Sequence, residues 1–211
     1  MNLGTYFGKP TKGAYEEYLK KTETKPEEKP RIVIPPPGNL QSPESYVLLE
    51  ARTHGSCSYP DTLVAMDKSY HDKDWYQSHE ELHKEDSFML PIIRFIDFIN
   101  LLKSGKAFDG KGNKISKGRL DKMLDEITEV RNPCRSEWLD ANFKVVNGIL
   151  HINYNHRIVN GQLQPQNSEP LVDCLMQDKL PGISIDDWLS NPTPQGLPRA
   201  DVKSGSLYYW R

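Results

Sequence analysis

The sequence predicts an α+β protein with two core helices and an antiparallel hairpin sheet. Three observations predict it. PIIRFIDFINLLKSG (91–105) is apolar on most sides of a helix. Residues 117–131 place Leu120, Met123, Leu124, Ile127 and Val130 on one helical face. NFKVVNGILHINYNHRIVNGQLQ (142–164) alternates apolar and polar residues around two Asn-Gly turns.

Composition frames these elements. The chain has 211 residues, 36% hydrophobic and 27% charged, enough apolar material for a soluble core. Its 27 basic and 29 acidic residues leave a net charge of −2, which offers no electrostatic footprint for nucleic acid. The richest apolar run is broken by Arg94, Asp97 and Asn100, so no transmembrane segment is expected. The start, MNLGTYFGKP, lacks the apolar region of a secretory signal. Cys57, Cys134 and Cys174 are odd in number and far apart, which fits reduced, partly buried thiols rather than a disulfide framework or metal finger.

Residues 1–40 read as an arm and Pro-rich linker. KKTETKPEEKPRIVIPPPG cannot bury enough apolar surface to offset its ordering entropy, and Pro35 to Pro37 favour an extended strut. Tyr6, Phe7, Tyr15 and Tyr18 give the arm apolar handles. Residues 41–211 form the domain. SYVLLEA (45–51) suits a short buried strand, RTHGSCSYPD a polar loop, and residues 72–85 a helix. Pro91 suits the first position of the central helix and Gly105 its stop. Arg94, Asp97, Asn100 and Lys103 form a narrow polar stripe along it.

DGKGN (109–113) lacks the alternating acidic ligands and closing Glu of a calcium loop, so it reads as a structural turn. Ser116 caps the second core helix, and Asn132-Pro133 ends it. In the hairpin segment, Asn147-Gly148 pairs Val145 with Leu150 and Phe143 with Ile152. Asn160-Gly161 pairs Ile158 with Leu163. These six lie on one face of a three-stranded meander with Tyr154 and His156, and Lys144, His151 and Asn153 lie on the other. A short helix over LVDCLMQDK, a helix capped by Ser184, a loop and the terminal SLYYWR complete the chain.

The most enzyme-like string is HEELH. His79 and His83 one turn apart, with Glu80 between, could hold zinc and activate water. Its surroundings argue for a half-exposed helix instead. Glu81, Lys84 and Glu85 are charged, and no downstream motif supplies a third ligand; Asp97, Glu126 and Glu129 are only nominal candidates. His54, Cys57 and Asp61 could make a nucleophilic site, though a polar turn accounts for them. Glu137 and Asp140 bracket Trp138 and Leu139, as an acid–base pair or in ion pairs with Arg131 or Arg135. No set of residues supports a named reaction; the expectation is a non-enzyme with no catalytic or metal residues and no cofactor.

Four longer phrases carry a resemblance: FMLPIIRFIDFINLLKSGKAFDGKGNKIS, EITEVRNPCRSEWLDANFKVVNG, INYNHRIVNGQLQPQNSEPL and GLPRADVKSGSLYYWR. From about residue 43 onward the chain resembles the variable proteins of archaeal diversity-generating retroelements, known from Nanoarchaeota and related archaea. The resemblance implies a C-type-lectin-like fold and selective binding rather than catalysis. A retroelement rewrites codons at the C-terminal end of such proteins. The implied partner is a protein or glycan on another cell or a virus, and the implied location is a cell surface or virion. Tyr208, Tyr209, Trp210 and Arg211 would stand at the start of the ligand surface, and they are residue types that dominate binding hot spots. The sequence departs from the family in two places. Family members carry more chain after such a segment, and Cys134 stands where an aromatic is expected. Two other classes compete: the HEELH zinc hydrolase, and a structural virion or scaffold protein tethered by the Pro-rich arm.

Overall fold

The computed structural model describes residues 42–129 and 137–209, together with two short strands near the start of the chain. By backbone packing the chain divides into Met1–Arg31 and Ile32–Arg211. In the first unit, β1 (Thr5–Tyr6) pairs antiparallel with β2 (Lys9–Pro10). The remainder of the expected arm, residues 1–40, lies outside the described residues, as do Arg131, Cys134 and Arg135.

The second unit is mixed α and β with small antiparallel sheets. β3 (Tyr46–Leu49) is the expected buried strand. Its partner is β6 (Thr62–Ala65), with Val47 opposite Val64. Between them RTHGSCSYPD is a hairpin rather than the expected loop: β4 (Arg52–His54) pairs with β5 (Cys57–Tyr59). The alternation decides this, because Cys57 and Tyr59 enter the core while Ser58 faces water.

Helix α1 (Trp75–Lys84) begins at a capping box. The Asp74 carboxylate accepts from the Gln77 amide at 2.8 Å, and the Gln77 side chain accepts from the Asp74 amide at 3.1 Å. Helix α2 (Ile92–Ser104) is the central helix, with Pro91 as its N-cap and left-handed Gly105 as its C-cap. One flank, through Phe98 and Leu102, joins Val47, Leu49, Tyr59, Ile115 and Leu120 in one apolar cluster. The other, through Ile92, Ile93, Ile96 and Ile99, joins Ile152, Tyr154, Leu189 and Leu197 in a second. Its expected polar stripe is partnered: Asn100 donates to the Leu189 carbonyl at 3.0 Å, and Lys103 pairs with Asp186.

DGKGN is a structural turn. Asp109 accepts from the amides of Lys111 at 2.8 Å and Asn113 at 2.9 Å, which leaves its carboxylate committed to its own loop. Helix α3 (Lys117–Thr128) buries Leu120 and Met123 as the periodicity requires. It ends before Asn132-Pro133, because Glu129 is already extended and Thr128 bonds back to the Leu124 carbonyl at 2.9 Å.

Both Asn-Gly hairpins form in the expected register. β7 (Asn142–Val146) pairs with β8 (Ile149–Tyr154), setting Val145 opposite Leu150 and Phe143 opposite Ile152. β9 (Arg157–Val159) pairs with β10 (Gln162–Gln164), setting Ile158 opposite Leu163. They do not merge into one meander. Asn155 is left-handed (φ 55°) and breaks the ladder, so the third strand of the β7–β8 sheet is β11 (Asn167–Pro170). The expected common apolar face is divided accordingly. Ile152, Tyr154 and His156 are buried, whereas Phe143 and Val145 are exposed.

LVDCLMQDK is not a helix. Asp173 is left-handed (φ 55°), Cys174 bridges to Arg199, and the Leu175 amide donates to the Pro198 carbonyl. This segment spends its backbone bonds on the 193–200 loop. β12 (Lys179–Ile183) leads to the expected helix α4 (Ile185–Ser190), where Ser184 Oγ accepts from the Asp187 amide. The final strand, β13 (Leu207–Tyr209), pairs antiparallel with β12. Among the described residues, no helix is long and apolar enough to cross a membrane.

Candidate functional site

Helix α1 places an unusual set of residues inward. Its buried residues are Ser78 and His79 rather than aliphatic side chains. Glu80 and His83 face outward, so HEELH does not assemble as a two-histidine metal site. His79 points instead at Asp140 and His156, which come from the lead-in to β7 and from the turn between β8 and β9. All three are buried. One ligating atom from each lies within 4.8 Å of the others.

Local bonds fix each member. The Asp140 amide donates to the Leu90 carbonyl at 2.9 Å, just before α2. One Asp140 carboxylate oxygen accepts from the His156 amide at 3.0 Å, and the other meets His156 Nδ1. The left-handed bend at Asn155 turns His156 back toward this carboxylate. Two indoles tie α1 to the same segment: Trp75 Nε1 donates to the Leu139 carbonyl at 2.9 Å, and Trp138 Nε1 donates to the Lys73 carbonyl at 3.0 Å. The Trp75 ring packs edge-on against both imidazoles, at centroid distances of 4.4 Å to His79 and 5.0 Å to His156.

One atom in this cluster is left over. His79 Nε2 is buried and has no hydrogen-bond partner among the described residues. Its nearest carboxylate oxygen, Asp140 Oδ1, is 3.6 Å away, too far for a hydrogen bond. Burial pushes the His79 pKa down, the Asp140 charge raises it, and His156 lowers it again; the net shift is downward, favouring the neutral imidazole.

Two further polar clusters hold the neighbouring elements. Asp97, from the polar stripe of α2, pairs with Arg52 at 2.9 Å and His54 at 2.6 Å, and accepts the Tyr59 hydroxyl. Burial, and then this bond to Asp97, push the Tyr59 phenol up. Arg94 lies over the Tyr59 ring at 5.0 Å. Glu169 accepts from Tyr154, from Ser56 at 2.7 Å and from Gln195 at 2.8 Å. Cys57 meets the Tyr154 hydroxyl at 3.2 Å, and burial pushes its thiol pKa up, away from the reactive thiolate. The crevice lined by Cys57, Ile92, Tyr154 and Gln195 has no room for a water molecule.

The residues singled out in the sequence therefore separate. His54 goes to Asp97, Cys57 to Tyr154, and Asp61 to the Ala51 amide at 2.6 Å, so these three make no common nucleophilic site. Glu137 pairs with Lys68, while Asp140 joins the histidines, so they are not an acid–base pair. Asp97, Glu126 and Glu129 do not join His79. Tyr208 and Tyr209 lie in β13, where only the backbone is described; Trp210 and Arg211 lie outside the described residues. The sequence reading missed the convergence of Asp140 and His156 on His79. The usable signal was Asn155 itself, a residue type that tolerates the left-handed backbone it adopts beside His156 and so can end the strand alternation there. The chain matches no known family model, no curated protein and no solved structure.

Proposed function

We propose that the chain is a non-catalytic ligand-recognition protein on a C-type-lectin-like frame, with a C-terminal region diversified by a retroelement. The observation that carries this reading is the footing of the aromatic strand. In β13, Leu207 lies opposite Ile183, a fully buried residue, and Tyr209 lies opposite Lys179. Tyr208 and Tyr209 thus belong to a backbone ribbon anchored in the core, and Trp210 and Arg211 follow directly. Aromatic and arginine side chains supply large contact area with little ordering entropy. The resemblance of the four quoted phrases to retroelement variable proteins supports the diversification part of the proposal. The ligand class is a protein or glycan on another cell or a virus.

Sequencing the 3′ end of the coding region across a natural population tests this. Substitutions should concentrate at the codons of residues 208–211. A nearby repeat should differ from the gene mainly at adenines, beside a reverse-transcriptase gene. Invariant 3′ ends across the population would overturn the reading.

A further inference from the structure

We propose that His79, Asp140 and His156 bind one divalent transition-metal ion of the zinc class, clasping α1 to the β8–β9 turn. Three structural observations converge on it. First, the donor set is two imidazoles and a carboxylate, which suits zinc and its neighbours rather than calcium or magnesium. Second, the donors are already gathered. Atoms on a coordination sphere of about 2.1 Å radius are at most about 4.2 Å apart, so a set within 4.8 Å closes once His156 exchanges its hydrogen bond to Asp140 Oδ1 for the ion. Third, His79 Nε2 is buried, without a hydrogen-bond partner among the described residues, and faces Asp140 Oδ1 from 3.6 Å. That gap is too long for a hydrogen bond but close to the roughly 3.4 Å between neighbouring tetrahedral ligands.

A buried polar atom without a partner costs stability, and a metal would remove that cost. The site differs from the HEELH reading in its chemistry. Glu80 is exposed on the outer face of α1 and cannot serve as a base at this ion, and His83 is not a ligand. All three donors are buried beneath Trp75, so the ion's role is structural. It would join helix, lead-in and hairpin turn, three pieces far apart in sequence, and its binding energy would add to folding. This inference is independent of the ligand-recognition reading.

Titration of the chelator-stripped full chain with Zn²⁺, and with Co²⁺ as a coloured stand-in, tests the proposal. The expected result is one ion per chain, a raised melting temperature on loading, and visible Co²⁺ absorption of the intensity seen for four-coordinate sites. Chelator should reverse all three. His79→Ala and Asp140→Asn should lose stoichiometric metal, while His83→Ala keeps it. Wild-type protein that takes up no stoichiometric Zn²⁺ or Co²⁺, with an unmoved melting temperature, overturns the proposal whatever the variants do. Equal loss in His83→Ala and His79→Ala overturns it as well, because it moves the metal to the HEELH pair. A water bridging His79 to Asp140 would give the first of these negative results.

Discussion

Asp97 is the most heavily used side chain of the central helix. It is buried while serving Arg52, His54 and Tyr59 at once. Asp97→Ala removes a charged acceptor and leaves the buried Tyr59 hydroxyl without its partner. The expected cost is about 3 kcal/mol in urea unfolding, against about 1 kcal/mol for Tyr59→Phe, which removes a single bond. Glu169 gives the pH dependence. Burial alone would raise its pKa, but hydrogen bonds from Tyr154, Ser56, Gln195 and Cys57 outweigh it, and the net shift is below the ordinary 4.5. A depressed carboxylate pKa means the folded state binds fewer protons than the unfolded one in the window between the two values. Its contribution is therefore complete above about pH 4.5 and lost as pH falls through the folded value. Urea midpoints measured from pH 7 to pH 3 should fall less steeply for Glu169→Gln than for wild type; parallel curves would refute this. Residues of this kind were not legible in the sequence. A polar stripe on an apolar helix looks the same whether it faces water or a buried hydroxyl, and the distinction depends on contacts 38 to 45 positions away.

At the scale of elements, local chemistry decided what could be read. The central helix, α3, the Ser184 cap and the Asn-Gly registers depend on neighbours within a few residues, and each lies where the pattern puts it. At Asn147-Gly148 and Asn160-Gly161 both residues have positive φ, as a type I′ turn requires. Elements decided at long range were misread. The hairpin at 52–59 needs the core to show which residues are inside, and LVDCLMQDK has helical composition but yields to the 193–200 loop. That loop supplies a test. Gly196 has φ of 94°, and a Cβ there would come within 2.5 Å of the Ile93 amide nitrogen at the start of α2. Gly196→Ala should destabilise by about 2 kcal/mol or more, combining backbone strain with a clash against helix backbone. Gly118→Ala, in α3 with open space around it, should instead stabilise by about 1 kcal/mol. Thermal melts of the two variants should move in opposite directions.

At the scale of the 32–211 unit, α2 is shared property. One flank closes the cluster around Leu49 and Leu102, and the other closes the cluster around Ile96 and Ile152. Ile96→Ala and Leu102→Ala each leave a cavity costing about 2–5 kcal/mol. Because one rigid helix feeds both clusters, each substitution should lower a single transition, with near- and far-ultraviolet circular dichroism coincident. Two separated melting steps would mean that the clusters unfold independently.

The seating of the 193–198 loop against the start of α2 has a consequence for synthesis. One flank of α2 is covered by partners the ribosome makes much later: Ile152, Leu189 and Leu197 lie in its cluster, and Cys57, in the same cluster, waits 97 positions for Tyr154. At about 5–20 residues per second, the flank carrying Ile92, Ile93, Ile96 and Ile99 would stay bare for roughly 5–20 s. During that interval it is an open invitation to a holdase chaperone, or to another nascent chain.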